Sequence, residues 1–164
     1  MSDLPGRFLY DALLQFLRDD GWPIDSEDDA EQAVAVPVEG NSGRWICVGQ
    51  ILDDRPLLLF TSVLPLFVAE QVREPVGEFV NRANRGLLYG GFQYDIDDGE
   101  LRYVNSLDLS GVDPDSAVAS GMLPGLIRRL VYANVGTTDQ YFSALMSVIH
   151  AGTAPADAVA AAEA

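Results

Sequence analysis

The segment Leu57–Ser62 constrains the fold most, because it is apolar at both its odd and its even positions. A strand with this pattern presents apolar side chains to both faces of a sheet, and both faces then need cover. The segment Arg44–Leu52 has the same property, since apolar residues alternate on each of its faces. One domain of 164 residues has few helices for this purpose. We therefore expect a partner chain to supply the second cover.

Hydrophobic periodicity predicts the element order α-β-β-β-α-β-β-α-α, which is an α+β fold with an antiparallel sheet flanked by helices. An amphipathic helix is predicted over Arg7–Asp20, and Gly21 is a natural stop for it. The acidic segment Asp25–Gln32 is predicted to be a loop. The first three strands are predicted at Ala33–Val38, Arg44–Leu52 and Leu57–Ser62.

A second helix is predicted over Val68–Arg85. It contains Pro75, which predicts either a kink or a helix body that starts at this proline. A β-hairpin follows, with strands at Leu87–Ile96 and Glu100–Leu109 around an Asp-Gly pair that favours a type I′ turn. The adjacent glycines Gly90-Gly91 weaken the first strand and indicate a bulge or a close backbone approach.

The last third of the sequence predicts helices. Asp113-Pro114 has the residues of a helix N-cap and first position. We expect the segment Gly136-Thr137-Thr138 to divide the following apolar pattern into two helices. The alanine-rich segment 153–164 is expected to be a short or fraying helix outside the core, which leaves residues 1–152 as one domain.

The charge balance excludes several classes of partner. The chain has 10 Lys+Arg against 25 Asp+Glu, a net charge of −15, which opposes contact with nucleic acid or with anionic lipid. All ten basic residues are arginines, so a P-loop lysine and a Schiff base are excluded. The single cysteine, Cys47, fits a reducing compartment. Met1–Gly6 lacks a basic signal segment, and uninterrupted apolar runs such as Leu57–Phe60 are far shorter than a membrane span, so we predict a cytoplasmic protein without one.

No group of residues has the pattern of a catalytic or metal site. A calcium loop counted from Asp95 would need glycine at its sixth position and glutamate at its twelfth, but these are Glu100 and Ser106. His150 is expected to be a helix-end histidine and Cys47 a small buried side chain. We therefore predict no catalytic residue, no metal and no cofactor. Adjacent carboxylates are expected to be solvated at Asp19/Asp20, Asp28/Asp29 and Asp53/Asp54.

Arg128-Arg129 is the only adjacent basic pair, and it lies in a predicted helix between apolar residues. Either arginine could form an exposed salt bridge with the acidic surface, an interaction worth little in stability. Contact with an acidic partner is the alternative interpretation of this pair.

Several segments resemble the YbjN family: Glu78–Asn84, Gly86–Leu88, Gly91-Phe92, Asp97–Tyr103, Leu130–Asn134, Asp139–Phe142 and Val148–His150. The resemblance extends over Phe8–Ala158 and combines an asparagine near a helix end, a Gly-Phe strand and an Asp-Gly hairpin in fixed order. It implies a fold like that of type III secretion chaperones, with a small antiparallel sheet, flanking helices and usually a homodimer. The family brings no catalytic residues to transfer.

Together these observations predict a cytoplasmic, non-enzymatic, homodimeric module that captures an extended or amphipathic segment of an unidentified partner protein. Apolar hairpin side chains are the expected partner or dimer surface: Phe92, Tyr94, Leu101, Tyr103 and Leu107. The first alternative is a small-molecule sensor whose pocket, between the helices and the sheet, is lined by Phe92, Tyr94, Tyr103 and Trp45. The second is a hydrolase without a known motif.

Overall fold

The computed structural model describes residues 5–52 and 54–164. Its strands are β1 (Ser26–Asp28), β2 (Ala33–Glu39), β3 (Arg44–Ile51), β4 (Leu57–Phe67), β5 (Gly91–Tyr94) and β6 (Glu100–Asp108). Its helices are α1 (Arg7–Asp19), α2 (Arg73–Gly86), α3 (Pro114–Ala119), α4 (Leu123–Ala151) and α5 (Pro155–Glu163). The six strands form one antiparallel sheet in the order β1-β2-β3-β4-β6-β5. The predicted α+β class is confirmed.

The helices cover one face of the sheet. Along β4, Leu58, Phe60 and Leu64 are buried, whereas the alternate residues Leu57 and Leu59 are only half-buried. The same alternation occurs along β2, β3 and β6, and the buried side chains join those of α1, α2 and α4 in one core. The second face of β4 therefore has no helix of the described chain over it, as its apolar pattern predicted.

Helix α1 forms as its sequence predicts. Its apolar residues repeat every three or four positions, so one side of the helix faces the core and six of its residues are buried. The helix ends beside Gly21, whose φ of +77° is a conformation that glycine adopts without strain. Helix α2 begins at Arg73 after a 3₁₀ turn at Glu70–Val72. Pro75 consequently lies in the first turn, where no intrahelical partner is needed for its missing N–H.

The prediction of a break at Gly136-Thr137-Thr138 is wrong, because α4 is continuous over 29 residues. The Thr138 hydroxyl donates to the Asn134 carbonyl at 2.9 Å, one turn earlier, so its hydrogen-bond partner lies within the helix. A glycine inside a helix costs about 1 kcal/mol. The long buried side of α4, on which eight of ten buried residues are apolar, outweighs that cost. Asp113 caps α3 by accepting from Ser116 N at 2.9 Å, as predicted.

The two hairpin strands differ from their predicted lengths. β5 has four residues and β6 has nine, so β5 pairs with only part of β6. The predicted type I′ turn is also wrong: four residues separate the paired Asp95 and Glu100, and of these only Gly99 has positive φ, at +85°. A type I′ turn needs positive φ at two successive residues.

The acidic segment predicted as a loop contains the short strand β1.

The C-terminal helix α5 belongs to the core, so the prediction that this segment lies outside it is wrong. Ala158 and Val159 are buried against the rest of the chain. The Tyr141 hydroxyl of α4 donates to the Glu163 carboxylate at 2.7 Å, and Gln140 bonds the Ala162 carbonyl at 3.0 Å. The alanine-rich sequence predicts a helix, but its small side chains suggest little contact with a core. The small side chains instead allow α5 to approach α2 and α4 closely.

Candidate functional site

A groove of about 790 Å³ lies at the start of β5, between β6 and α4. We call it the β6-edge groove. β6 contributes Ser106 and Leu107 to it, while α4 contributes Arg129 from its exposed side. Most of the other lining side chains are apolar: Leu59, Leu88, Phe92, Val104, Leu126, Leu130 and Ala133. A largely apolar concave surface with few polar groups is typical of a binding site.

The segment before β5 diverges from β6 at Gly90, and this divergence opens the groove. Gly90 has a φ of +83°, and a Cβ there would collide with the Val104 carbonyl oxygen. The Tyr103 hydroxyl donates to the Tyr89 carbonyl just before this glycine. The predicted close backbone approach at the glycine pair is therefore confirmed, and its consequence is that β5 starts only at Gly91.

The adjacent arginines of α4 have different surroundings. Arg128 forms a salt bridge with Asp20 at 2.8 Å and lies over the Tyr132 ring, 4.5 Å from its centroid. Arg129 lies over the Tyr89 ring at 4.5 Å and donates to its hydroxyl. Within residues 5–52 and 54–164, no carboxylate forms a salt bridge with Arg129. The expected pairing with the acidic surface therefore involves Arg128 alone.

A second groove, of about 720 Å³, lies between α1 and the start of α4. We call it the α1 groove. Its floor includes Phe8 and Phe16, and its rim includes Asp11, Asp19 and Asp20. Each rim carboxylate has a partner within the chain, namely Arg7, Gln15 and Arg128 respectively. A hydrogen bond from Tyr132 is the main reason that the pKa of Asp20 is lowered.

Most of the predicted partner surface is in the interior. Phe92, Leu101 and Tyr103 are buried in the core, so the sequence-based assignment of these three to a surface needs correction. They lie on the sheet face that the helices cover, which alternation alone could not identify. Tyr94 is half-buried. Leu107 is half-buried and is the member of this set, besides Phe92, that lines the β6-edge groove.

The aromatic residues proposed for a ligand pocket pack against other rings. The Phe92 ring is 5.1 Å from that of Tyr103 and 5.7 Å from that of Tyr141, both edge-on. Trp45 stacks on Phe142 at 5.8 Å. These contacts fill the space between the helices and the sheet. They favour a packed core over the sensor pocket of the first alternative.

A buried polar network joins α4 to the sheet. Asn134 donates to the Phe60 carbonyl at 2.8 Å and to the Asn105 side-chain oxygen at 3.0 Å. Its own oxygen accepts from the Ser62 hydroxyl at 2.5 Å, and that hydroxyl accepts from the Trp45 indole at 2.9 Å. Four side chains and one main-chain carbonyl thus satisfy one another beneath α4. The network fixes how the helix sits on the strands.

Other residues of the resembling motifs also hold the fold together. The Asn84 side chain accepts from Phe92 N at 2.7 Å and donates to Phe92 O at 2.9 Å, so it tethers the start of β5 to α2. The Asp139 carboxylate accepts from the amides of Asn41 at 3.1 Å and Ser42 at 2.8 Å in the β2–β3 turn. Asn84, Asn134 and Asp139 therefore have structural roles, although their place in the resembling motifs would suit residues of a functional site equally well.

The remaining candidates have inert surroundings. Cys47 is fully buried, and burial raises the pKa of its thiol to about 11. His150 is exposed in the last turn of α4. Asp19, Asp28, Asp29 and Asp54 are exposed, whereas Asp53 lies outside the described residues, as do the first four residues of Met1–Gly6. In the described part of the chain, no three His, Cys, Asp or Glu side chains form a group able to hold a metal ion.

Sequence reasoning missed most of the β6-edge groove. Leu88 and Tyr89 are exposed because β5 starts late, and their positions were assigned to a strand. The sequence marks Arg129 only as half of a basic pair. The available signal was Gly90-Gly91, which correctly indicated an irregular strand but not the opening that follows from it.

The fold and its grooves define a small α+β protein built on one antiparallel sheet with helices on one side. Residues 9–146 match the YbjN family, described as "Putative bacterial sensory transduction regulator", and the chain belongs to this family. None of the curated proteins compared with the chain matches it.

Two solved structures are similar to parts of the chain. The crystal structure of YbjN from E. coli, titled a putative transcription regulator, shares 19% identity over 76% of this chain and 90% of its own, with a TM-score of 0.42. The HopA1-SchA chaperone-effector complex includes a chain with 14% identity, over 79% of this chain and 98% of its own, with a TM-score of 0.40. Among the described helices, none is both long and apolar enough to span a membrane.

Proposed function

We propose that this chain is a non-enzymatic, homodimeric protein-binding module that captures an extended or amphipathic segment of a partner protein. The observation that carries the proposal is the uncovered apolar face of the sheet. We call it the open face and define it by the outward apolar and threonine side chains of β2, β3, β4 and β6: Ala33, Ala35, Ile46, Val48, Leu57, Leu59, Thr61, Val63 and Val104. The polar side chains of Gln50, Arg102 and Ser106 point to the same face.

These side chains lie side by side across the sheet. The strand register aligns Ala35, Val48, Thr61 and Val104 in one row. The next row contains Ile46 and Val63 between Pro37 and Arg102. Ile46 is 46% exposed, and Val48, Thr61 and Val63 beside it are half-buried. A second copy of the chain offers an identical apolar face, so a two-fold contact between open faces would cover both. We assign the dimer interface to this face.

The dimer is tested by light scattering, which should return about twice 17.7 kDa at micromolar concentration. Ile46→Lys should return a monomer, since it places a charge at the centre of an apolar contact. Ile96→Lys is the matched control, because Ile96 is also exposed but lies in the hairpin turn. A monomeric wild-type chain, without concentration dependence, contradicts the dimer proposal.

Segment capture is supported by the β6-edge groove, since its apolar lining remains accessible in the single chain. Leu88 is 91% exposed at its rim. Apolar contacts contribute roughly 25 cal/mol per Å² before ordering costs, and they do not weaken with salt as steering by charge does. We therefore expect a captured partner to remain bound at high salt. Leu88→Glu should abolish its recovery from native lysate, while Ile96→Glu should leave it unchanged.

The non-enzymatic part of the proposal rests on the surroundings of the reactive side chains. The Cys47 thiol stays protonated at neutral pH because burial raises its pKa to about 11. Ser143 and Ser147 precede His150 on α4, but the Ser147 hydroxyl donates to the Ala144 carbonyl at 2.7 Å and so is not held by the imidazole. A cytoplasmic location belongs to the same proposal, because a single free thiol suits a reducing compartment.

A further inference from the structure

Part of the β6 edge carries main-chain groups that no strand uses. Leu109 N donates to Pro56 O at 3.0 Å, on the β4 side of the strand. Because main-chain groups alternate between the two sides of a strand, those of Ser106 and Asp108 point away from β4. The β5–β6 pairing ends at Gly91–Val104, so β5 does not reach these two residues. The N–H and C=O groups of Ser106 therefore border the β6-edge groove, and those of Asp108 lie further along the same strand edge.

The fold prevents the chain from using this edge itself. Continuing the β5–β6 register would place Tyr89 opposite Ser106. The Tyr89 carbonyl instead accepts from the Tyr103 hydroxyl, and the chain turns away at Gly90. The vacant position is thus held open by a buried tyrosine and by a glycine that has no space for a side chain.

The opposite edge of the sheet is protected. It ends in β1, which has three residues of which two are acidic. Beyond β1, β2 continues with Pro37, which has no N–H to offer to an added strand. Short charged strands and prolines are the usual means of blocking edge pairing. In contrast to that edge, the β6 side combines unused main-chain groups with an apolar groove.

Charge distinguishes the β6-edge groove from the rest of this acidic chain. Its lining contains one charged side chain, Arg129, although the net charge of the chain is −15. No carboxylate of the described residues neutralises this arginine, whereas the neighbouring Arg128 is paired with Asp20. The complementary ligand therefore carries a carboxylate within an otherwise apolar sequence.

We propose, on the basis of the proposed function, that the captured segment binds as an extra strand beside β6. The segment is an extended stretch of another protein in which apolar residues alternate and one residue is acidic. Its main chain pairs with Ser106 and Asp108, its apolar side chains contact Leu107 and Leu130, and its carboxylate pairs with Arg129. Strand addition gives affinity through the main chain and specificity through the alternate side chains.

The test selects a display library of random dodecapeptides against the full chain and measures the affinity of the best synthetic peptide. We expect the selected sequences to alternate apolar residues around one Asp or Glu. Ser106→Pro removes the edge N–H without removing a hydrogen bond to β4, and should weaken binding about tenfold. Ser106→Thr keeps the N–H and should stay within about twofold of wild type. Circular dichroism and melting temperature verify the fold of each variant.

A charge exchange tests the carboxylate separately and needs no backbone change. Arg129→Glu should weaken the acidic peptide about tenfold, and a peptide with Lys in place of its acid should recover affinity on this variant. Arg128→Glu should change neither affinity beyond about twofold, because Arg128 faces the α1 groove.

Four results would overturn strand addition: no selected peptide, selection of basic peptides, insensitivity to both Ser106→Pro and Arg129→Glu, or conversion of a dimer to a monomer by Ser106→Pro alone. The last would make this edge a contact between two copies of the chain. Partner recovery that depends on Leu88 but not on Ser106 or Arg129 would leave the proposed function intact and refute only the strand mode.

Discussion

Polar groups on the two sides of β6 have opposite surroundings: on one side they bond one another, and on the other they have no partner strand. On the covered side, Asn105 accepts from Asn134 at 3.0 Å and donates to the Leu130 carbonyl at 2.9 Å. One residue later, the main-chain groups of Ser106 face the β6-edge groove without a partner strand. The same strand and the same helix, α4, border both environments. Groups that satisfy one another hold the fold together, whereas groups left to solvent are available for recognition.

This difference separates stability from binding. A buried polar group that loses its partner costs about 1–3 kcal/mol, because no water replaces the lost hydrogen bond. An exposed group is solvated in either case, so changing it costs little stability. Substitutions on the covered side should therefore lower the free energy of unfolding, and substitutions along the groove should affect binding alone. The following four predictions test this separation, in order of expected effect.

The largest effect is expected for Asn134→Ala. It leaves the Phe60 carbonyl, the Ser62 hydroxyl and the Asn105 side chain without their shared partner. We expect the free energy of unfolding to fall by about 3 kcal/mol or more, measured by urea denaturation. Asn81→Ala, at an exposed position of α2, is the control and should change it by less than about 0.5 kcal/mol. Similar losses for the two variants would contradict the separation.

The second prediction compares two serines on neighbouring strands. Ser62→Ala removes the acceptor of the buried Trp45 indole and the donor to Asn134, so we expect a loss of about 2 kcal/mol. Ser106→Ala removes only an exposed hydroxyl and should change the unfolding free energy by less than about 0.5 kcal/mol. Both values come from denaturation curves with unchanged slope. A costly Ser106→Ala would show that the groove side also supports the fold.

The third prediction concerns the Cys47 thiol, which touches the same network through Ser62 at 3.2 Å. Burial raises its pKa to about 11. At pH 8 an alkylating reagent should therefore react about two orders of magnitude more slowly with the folded chain than with an ordinary exposed thiol. Mass spectrometry of the alkylated fraction gives the rate, and urea should accelerate it in parallel with unfolding. Rapid labelling of the folded chain would mean that the network is open to solvent.

The sign of the accompanying pH dependence follows from the raised pKa. The unfolded thiol ionises near pH 8.5, whereas the folded thiol stays protonated to about pH 11. Its contribution to stability is thus complete below about pH 8.5 and is lost as the pH rises toward 11. In Cys47→Ala, the fall in unfolding free energy between pH 8 and pH 10 should be shallower than in wild type.

The smallest effect is expected for the adjacent arginines. Arg128→Gln loses an exposed salt bridge to Asp20 and a contact with the Tyr132 ring, so we expect a loss of about 1 kcal/mol. Arg129→Gln loses only its interactions with Tyr89 and should cost about 0.5 kcal/mol. Thermal melts in low salt measure both changes. If Arg129 proved the more stabilising of the two, its charge would be serving the fold and not a ligand.

Local sequence patterns predicted correctly those elements whose own apolar spacing is enough to define them. The apolar spacing of Arg7–Asp20 specifies a helix with one buried face, and the alternation of Arg44–Leu52 specifies a strand; both elements are confirmed. The double-sided pattern of Leu57–Ser62 correctly indicated a sheet face beyond the reach of the helices. Such patterns work because burial of apolar surface dominates folding and has the period of the secondary structure itself.

The same patterns failed where a distant contact decides the outcome. Gly136 and two threonines suggest a helix break, but the packed face of α4 keeps the helix intact. Leu88 is apolar like a strand residue, but it precedes β5. The Tyr103 hydroxyl binds the Tyr89 carbonyl, and the pairing with β6 begins only at Gly91. The assignment of Tyr103 itself to a surface failed because alternation gives two faces without saying which one the helices occupy.

The sequence by itself determined that the chain is an acidic α+β domain with an apolar sheet face left over, because composition and periodicity act residue by residue. Its motifs, in their fixed order, also indicated the YbjN family, to which residues 9–146 match. Only the tertiary structure decided where its surfaces lie. The β6-edge groove exists because Gly90 and Tyr103, 13 residues apart in the numbering, together stop one strand and leave its neighbour unpaired. Arg128 and Arg129 differ because a helix turns successive residues about 100° apart, toward Asp20 in one case and toward Tyr89 in the other.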